Sequence, residues 1–168
     1  MKTAVAAKYR IEQDDDPQNP QQYSDEDMFL VSKHRQFYVP EPGQQRIPDS
    51  ANEVVDKWKK THWVFPVEAY IHGGVSLALA GEGNFPDRQW DVSQCGFVFV
   101  SKLSWRLSKS ARKQAVSWLE TWNQYLSGDV WRYVIEDEDG NEIDSCSGMY
   151  GKEYCEQEAK TAFARLSE

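Results

Sequence analysis

The chain has 168 residues and a formal net charge of −8 at pH 7, with 27 Asp and Glu against 19 Lys and Arg. This length suits one folded domain, and an aromatic content of 13% provides material for a core. The acidity argues against direct binding to DNA or RNA, because phosphate contacts need clustered Lys and Arg; it fits a solvated surface or a basic partner.

Cysteine usage and hydropathy bear on the location of the protein. Cys95, Cys146 and Cys155 form no CxxC motif, and an odd count without pairing signals is typical of a reducing cytoplasm. No apolar run approaches the roughly 18 residues of a membrane span. Lys8 and Arg10 interrupt the N-terminal stretch where a signal peptide has its apolar core. We therefore expect a cytoplasmic protein without membrane contact.

The first quarter of the chain alternates short apolar segments with polar loops. The period of two from Thr3 to Gln13 predicts a strand, and the apolar run from Met28 to Lys33 predicts a buried one. Residues 14–27 hold six acids, two prolines and no base, which indicates an acidic loop. Such a loop is either simply solvated or a lure for a basic partner. Residues 39–48, with three prolines, form a second irregular segment.

The middle of the chain predicts one helix and three strands. Val54, Val55 and Trp58 have helical spacing within Asp49 to Thr61. His62 to Ile71 is rich in aromatic and β-branched residues and predicts a strand, in which Pro66 favours an edge position or a bulge. Val75 to Ala80 and Gly96 to Ser101 predict two further strands, the second of them central because its apolar run is nearly continuous.

The last third predicts a helix, a hairpin and a second helix. Lys109 to Leu126 has the most extended helical periodicity. Val130 to Asp137 and Glu142 to Ser147 flank an Asp-Gly pair, which is a strong hairpin signal. Tyr154 to Leu166 predicts the final helix. Together these elements predict an α+β fold, with a mostly antiparallel sheet of about six strands, three helices packed on it, and a single domain over residues 1–168.

The sequence contains no familiar metal-binding or cofactor motif. His34, His62 and His72 are far apart, and no HxH, HExxH or zinc-spaced Cys pair occurs. The acidic segment 136–144 lacks an oxygen side chain at the first position that a calcium loop requires. No GxGxxG motif or P-loop is present. We therefore expect no metal site and no cofactor.

The best enzyme hypothesis pairs Cys95 with His72. Nucleophilic catalysis needs a positioned base, and the two residues lie in neighbouring predicted strands or turns. However, Cys95 borders an apolar strand, where a free cysteine usually serves packing. We expect a protein that is not an enzyme, with an enzyme of unrecognised type as the alternative.

Charge is strongly segregated in the second half of the chain. The hairpin carries Glu136, Asp137, Glu138, Asp139, Glu142 and Asp144. The lead-in and start of the long helix carry Lys102, Arg106, Lys109, Arg112 and Lys113. Carboxylates on a stiff hairpin can imitate phosphates and occupy the DNA-binding groove of another protein. The alternatives are a solvated turn and a solvated helix face, or a homodimer in which the basic segment binds the hairpin of a second copy.

Three more acids and one tryptophan are candidates for the same partner surface. Asp14, Asp15 and Asp16 begin the acidic loop. Trp90 lies between two polar residues just before an apolar strand, where a tryptophan is either part of the core or, if exposed, an interface anchor. The sequence leaves both interpretations of Trp90 open.

Several segments resemble a family of small acidic, functionally uncharacterised proteins carried by bacteriophages, prophages and plasmids. The matching segments are DDDPQNP, the His34-Arg35 pair, AYIHGG, QWDVSQCGFVFVSK and NQYLSGDVWRYVIEDEDGNEIDSCSGMYG. The tail that resembles the family's consists of Tyr125, Leu126, Gly128, Asp139, Gly140, Asp144, Ser145, Cys146, Tyr150 and Gly151. One departure is Ser147, where the family often has an aromatic residue.

The resemblance implies an accessory protein of a mobile element that acts in a bacterial host. Small acidic proteins of this kind often antagonise host defence, as anti-restriction or anti-CRISPR proteins do. We therefore expect a binding protein that blocks a host nucleic-acid-handling complex through its acidic surface, without contacting nucleic acid itself. A structural or replication accessory protein is the further alternative. Lysine at Asp137, Glu138 and Asp139 is expected to abolish binding and to leave folding intact.

Overall fold

The computed structural model describes residues 5–167. Their contacts divide the chain into two compact units. Unit 1 combines the N-terminal residues up to Gln18 with the segment from Ser127 onward, and unit 2 is Asn19–Leu126. The single-domain organisation stays a prediction, and the predicted strand from Thr3 has two residues, Thr3 and Ala4, outside the described part of the chain.

Residues 5–167 form eight strands, four α-helices and one short 3-10 helix. In chain order they are β1 (Lys8–Gln13), the 3-10 helix (Pro20–Tyr23), β2 (Met28–His34), β3 (Phe37–Val39), α1 (Ala51–Trp58), β4 (His62–Ile71), β5 (Val75–Leu79), α2 (Arg88–Asp91), β6 (Val92–Ser101), α3 (Ser108–Leu126), β7 (Val130–Glu136), β8 (Glu142–Tyr150) and α4 (Lys152–Leu166).

Unit 1 is a three-stranded antiparallel sheet with one helix on it. The strand order is β1-β7-β8, so β7 lies in the centre. Apolar side chains alternate along β7, and Tyr133 and Ile135 point to the face on which α4 packs with Cys155, Ala159 and Ala162. The opposite face carries the charged residues Arg132 and Glu136, but Val130 and Val134 on the same face are fully buried. β7 therefore has buried residues on both of its faces, which suits its central place in the sheet.

Unit 2 is a five-stranded sheet covered on both faces. The order is β3-β2-β6-β4-β5, and all neighbours are antiparallel. In β2 and β6, Leu30 and Val98 face the cluster beneath α3, whereas Phe29 and Phe99 stack 4.9 Å apart in the cluster beneath α1. Since both faces are buried, these two strands are continuously apolar, as the sequence predicted for a central strand.

A β-bulge interrupts the pairing of β4 with β6. The register passes from Val67–Gly96 to Glu68–Gln94, which leaves Cys95 as the extra residue. Gly96 is also the closest approach to β2, because a Cβ there would lie 1.8 Å from the carbonyl oxygen of Val31. The bulge confirms the irregularity expected near Pro66, but β4 is an interior strand and the edge alternative is wrong.

The fold class is confirmed as α+β, and the predicted single sheet of six strands is corrected to two sheets of three and five strands. The reason lies in β1, which pairs with β7 and not with the neighbouring β2. The predicted three helices become four because α2, with only four residues, is too short to show a helical period in the sequence. Among the described residues, no helix is both long enough and apolar enough to cross a membrane.

Candidate partner-binding surfaces

The base of the acidic hairpin is neutralised within unit 1. Lys8 and Arg10 both pair with Glu136, and the Lys8 Nζ–Glu136 Oε2 distance is 2.9 Å. The hydrogen bond from Lys8, joined by the charge of Arg10, holds the pKa of Glu136 below its usual range despite partial desolvation. Glu136 therefore joins β1 to β7, and its charge is not available to a partner.

The next acid, Asp137, builds the turn. Its Oδ1 accepts hydrogen bonds from the backbone N–H of Asp139 at 2.9 Å and of Asn141 at 2.8 Å, and its Oδ2 accepts one from Asn141 Nδ2 at 3.1 Å. The bonds from Asn141 lower the pKa of Asp137. Gly140 has φ +83° and provides the left-handed residue of the turn. A lysine at position 137 would therefore disrupt the hairpin as well as change its charge.

Three of the four remaining acids of the hairpin are exposed to solvent. Glu138, Asp139 and Glu142 are exposed, and no ion pair within residues 5–167 involves them. Glu142 accepts a hydrogen bond from Ser145 Oγ at 2.6 Å, and the half-buried Asp144 is 3.4 Å from the Tyr133 hydroxyl. We call the three exposed acids, Glu138, Asp139 and Glu142, the acidic tip.

The first residues of the acidic loop lie at the other end of the same sheet. Asp14 accepts a hydrogen bond from the backbone N–H of Gly148 at 2.8 Å, and its own N–H bonds to Val130, at the opposite end of β7 from the hairpin turn. Asp15 and Asp16 are exposed. The six residue steps of β7 separate this loop from the acidic tip by about 20 Å.

Basic residues occupy the sheet face between these two acidic segments. Lys8, Arg10 and Glu12 alternate along β1, opposite Glu136 and Arg132 of β7, and they form a network of ion pairs. On this face Lys8, Arg10 and Arg132 therefore neutralise the carboxylates of Glu12 and Glu136. The acidic tip and the exposed pair Asp15 and Asp16 are therefore two separate patches and not the continuous row that a long phosphate mimic would present.

Trp90 is exposed on unit 2. It lies on α2, and 80% of the residue is accessible to solvent. The core interpretation of Trp90 is therefore excluded, while its role as an interface anchor stays a prediction. It lies two residues before Val92, the register partner of Tyr70, which places it at the end of the sheet where β4 and β5 turn.

A buried carboxylate holds the loop that presents Trp90. Glu68 is only 5% exposed and accepts hydrogen bonds from both terminal guanidinium nitrogens of Arg88, at 3.0 and 2.7 Å. It also accepts hydrogen bonds from the backbone N–H groups of Gly81 and Gly83. Burial alone would raise the pKa of Glu68, but the bonds from Arg88 and the two glycines outweigh burial and lower it. We call this arrangement the Glu68 clamp.

Aromatic rings line the same end of unit 2. Phe85 stacks on Tyr70 with ring centroids 5.2 Å apart and planes 11° apart, and Tyr70 stacks in turn on His72 at 6.0 Å. His72 Nδ1 is 3.3 Å from a carboxylate oxygen of Asp91. A Cβ at Gly83 would collide with the Phe85 ring, so the loop needs glycine there. The sequence did not predict this cluster, and its one signal nearby was Trp90 between two polar residues.

The enzyme hypothesis loses its best pair of residues. Cys95 is buried, and its Sγ is 3.5 Å from the carbonyl oxygen of Val67. His72 lies five residues beyond Val67 along β4, which is about 16 Å at the rise of a strand. Burial raises the pKa of Cys95 to about 12, so the thiol stays protonated at neutral pH. The structure does not bring Cys95 and His72 together.

We expect thiol reagents to distinguish the three cysteines. Cys146 is exposed, whereas Cys95 and Cys155 are buried. Burial raises the pKa of both buried thiols. At pH 8 a disulfide-exchange reagent should label one cysteine per chain quickly and all three only in denaturant, with mass spectrometry identifying Cys146 as the first. Rapid labelling of Cys95 in the folded protein would revive the nucleophile hypothesis, and a Cys146→Ser variant provides the control.

The histidines and acids of the described chain do not assemble a metal site. The buried His62 contacts Thr61 Oγ1 and the carbonyl oxygen of Glu26, and His34 stacks on Phe37. Within residues 5–167, no group of three or more His, Cys, Asp or Glu side chains is arranged to hold a metal ion.

The basic segment that leads into α3 and forms its first turns is partly used inside unit 2. Lys102 Nζ bonds to the carbonyl oxygen of Lys59 and lies over the Trp63 ring, and Arg112 pairs with Glu82. Leu103 and Leu107 in the same segment are exposed. A homodimer through this segment stays a prediction.

Comparisons of the chain with protein-family models, with curated proteins and with solved structures found no match. The resemblance to proteins of mobile elements therefore stays a prediction, and the interpretation of function depends on the surfaces described above.

Proposed function

We propose that the protein is a non-catalytic inhibitor encoded by a phage or other mobile element, and that it binds and blocks a host nucleic-acid-handling defence complex. The partner is a protein with a basic nucleic-acid-binding surface, and the acidic tip is the part of this chain that enters it. The proposed setting is the cytoplasm of a bacterial host, with an anti-CRISPR or anti-restriction type of action.

One observation carries the proposal. The hairpin has six acids, and the fold itself uses Glu136 for ion pairs and Asp137 for the turn. The acidic tip serves neither purpose and lies exposed on a turn whose backbone donates hydrogen bonds to Asp137. Carboxylates held in fixed positions keep the entropic cost of binding a basic groove low. Their separation from Asp15 and Asp16 favours occlusion of a short stretch of groove, not imitation of a long duplex.

The interaction would depend on ionic strength. Exposed charges interact over a Debye length of about 10 Å at 0.1 M salt and about 3 Å at 1 M salt. Complementary charge also speeds association more than it strengthens the final complex. The complex would therefore form quickly at low salt and weaken steeply as salt rises.

The test is a capture experiment in bacterial lysate. We expect the tagged protein to retain a DNA- or RNA-handling complex at about 0.1 M salt and to release it towards about 1 M salt. Nuclease treatment of the lysate before capture removes partners that are bridged by nucleic acid. A parallel capture uses the protein with Glu138→Lys, Asp139→Lys and Glu142→Lys. Retention of the same complex by that variant, or capture of proteins that handle no nucleic acid, contradicts the proposal.

A further inference from the structure

Unit 2 presents an aromatic surface that the packing of the core does not require. The Phe85, Tyr70 and His72 rings follow one another in near-parallel stacks, and Trp90 is exposed at the same end of the sheet. An exposed tryptophan is costly to keep in contact with water, since full burial of a large apolar side chain contributes about 1.5–3 kcal/mol. The surface therefore resembles one that a partner covers.

The loop that carries this surface is held by dedicated contacts. The Glu68 clamp fixes Gly81, Gly83 and Arg88, which lie on both sides of Phe85. Asp87, at the start of α2, adopts φ +49°, a left-handed conformation that is uncommon for residues other than glycine. Backbone of this kind persists where the surrounding structure fixes it, and it is frequent at ligand-binding sites. The backbone that carries Trp90 is thus anchored at Arg88, two residues before it.

Two carboxylates give the surface a negative charge. Asp91 lies beside His72, and both Asp91 and Asp87 interact electrostatically with the Tyr70 hydroxyl, adding to the effect of burial in raising the pKa of Tyr70. The neighbouring cation Arg88 is bound to Glu68. Asp87 forms no ion pair among residues 5–167. Aromatic faces together with unpaired carboxylate favour a cationic ligand.

We propose that this surface, formed by Tyr70, Phe85, Trp90, Asp87 and Asp91, binds an arginine side chain of the protein partner. A guanidinium group stacks on aromatic faces and pairs with carboxylates at the same time, which an ammonium group does less well. The inference rests on the proposed function for the partner, a basic nucleic-acid-binding protein rich in arginine. It adds a second contact, on unit 2, to the acidic tip of unit 1.

The test measures binding of a nine-residue peptide of alternating glycine and arginine to the full chain. All measurements use the protein with the three lysines at the acidic tip, so that the hairpin does not contribute. A matched peptide carries citrulline, which has the shape of arginine without its charge. Calorimetry gives the affinity, and the indole N–H signal of Trp90, assigned with a Trp90→Phe variant, locates the peptide by nuclear magnetic resonance.

We expect the arginine peptide to shift the Trp90 signal and the citrulline peptide to leave it unchanged. Trp90→Ala and Asp91→Asn should each lower the affinity, by about tenfold for Trp90→Ala. Tyr23→Ala removes another exposed aromatic residue with acids nearby in sequence, and it should have no effect. Equal binding of the two peptides would indicate a neutral stacking ligand such as a sugar and would overturn the inference.

Two outcomes separate this inference from the proposed function. Peptide binding at Trp90 without any captured host complex contradicts the proposed function alone. Capture of a host complex that is unaffected by Trp90→Ala, together with no peptide binding at Trp90, overturns the arginine site and leaves the acidic tip in place.

Discussion

Replacing Glu68 with Gln should lower the free energy of unfolding by about 3 kcal/mol, as removal of one partner of a buried ion pair does. Glu68 is 5% exposed and accepts hydrogen bonds from Arg88, Gly81 and Gly83. A glutamine offers one oxygen in place of two and turns an N–H₂ group towards these donors. The expected loss lies at the low end of the usual range because Arg88 is 42% exposed and water can solvate it.

The difference in the free energy of unfolding between the Glu68→Gln variant and the natural chain should also depend on pH. The contacts of the clamp lower the folded-state pKa of Glu68 below its ordinary value of 4.5. The stabilisation is therefore fully present above about pH 4.5 and is lost as pH falls through the folded-state pKa. Urea unfolding at pH 7 and pH 3 should give a large difference at pH 7 and a smaller one at pH 3.

Glu82→Gln is the matched control for this prediction. Glu82 pairs with Arg112 at the surface of the same unit, and an exposed pair contributes about 0–1 kcal/mol. If the Glu68 and Glu82 variants lose the same free energy of unfolding at pH 7 relative to the natural chain, the clamp does not stabilise the loop. Faster amide exchange at Gly81 and Gly83 in the Glu68 variant would localise the effect.

β2 and β6 of unit 2 could be predicted because burial on both faces leaves a simple apolar pattern, whereas the three-residue strand β3 could not be predicted. The continuous apolar runs of β2 and β6 have no other stable place than the middle of a covered sheet. The partner of β1 could not be predicted. Its alternation indicates one solvated face, but the ion pairs that match Lys8 with Glu136 and Arg132 with Glu12 become visible only from the register with β7.

Only some residues of the candidate surfaces could likewise be predicted from the sequence. Charge counting found the hairpin, since six acids stand close together in sequence. It did not distinguish Asp137, whose carboxylate accepts hydrogen bonds within the turn, from the exposed acids of the tip. The Glu68 clamp left no local signal, because its partners lie 13 to 20 residues further along the chain. From the sequence, Trp90 was either a core residue or an interface anchor, and only its exposure in the structure excluded the core.

The structure shows that the fold uses Asp137 and not the acidic tip. The substitutions that best test the hairpin are therefore those at the acidic tip. Lysine at Asp137, Glu138 and Asp139, the set that the sequence suggests, would break the turn, because a lysine cannot accept the hydrogen bonds from Asp139 and Asn141. Lysine at the acidic tip leaves those bonds in place and moves the formal net charge from −8 to −2. The circular dichroism spectrum and the unfolding midpoint should stay close to those of the natural chain.

We expect the tip variant to bind the partner about 100-fold more weakly, since like charges brought together at an interface cost several kcal/mol and the favourable contacts are lost as well. The control places the same three charge reversals at Glu53, Glu120 and Glu158, which are exposed and lie outside the hairpin. Because both variants have the same net charge, a weaker complex in both would reflect general electrostatic attraction. A loss confined to the tip variant, together with a shallower dependence of affinity on salt, is the result that the hairpin mechanism requires.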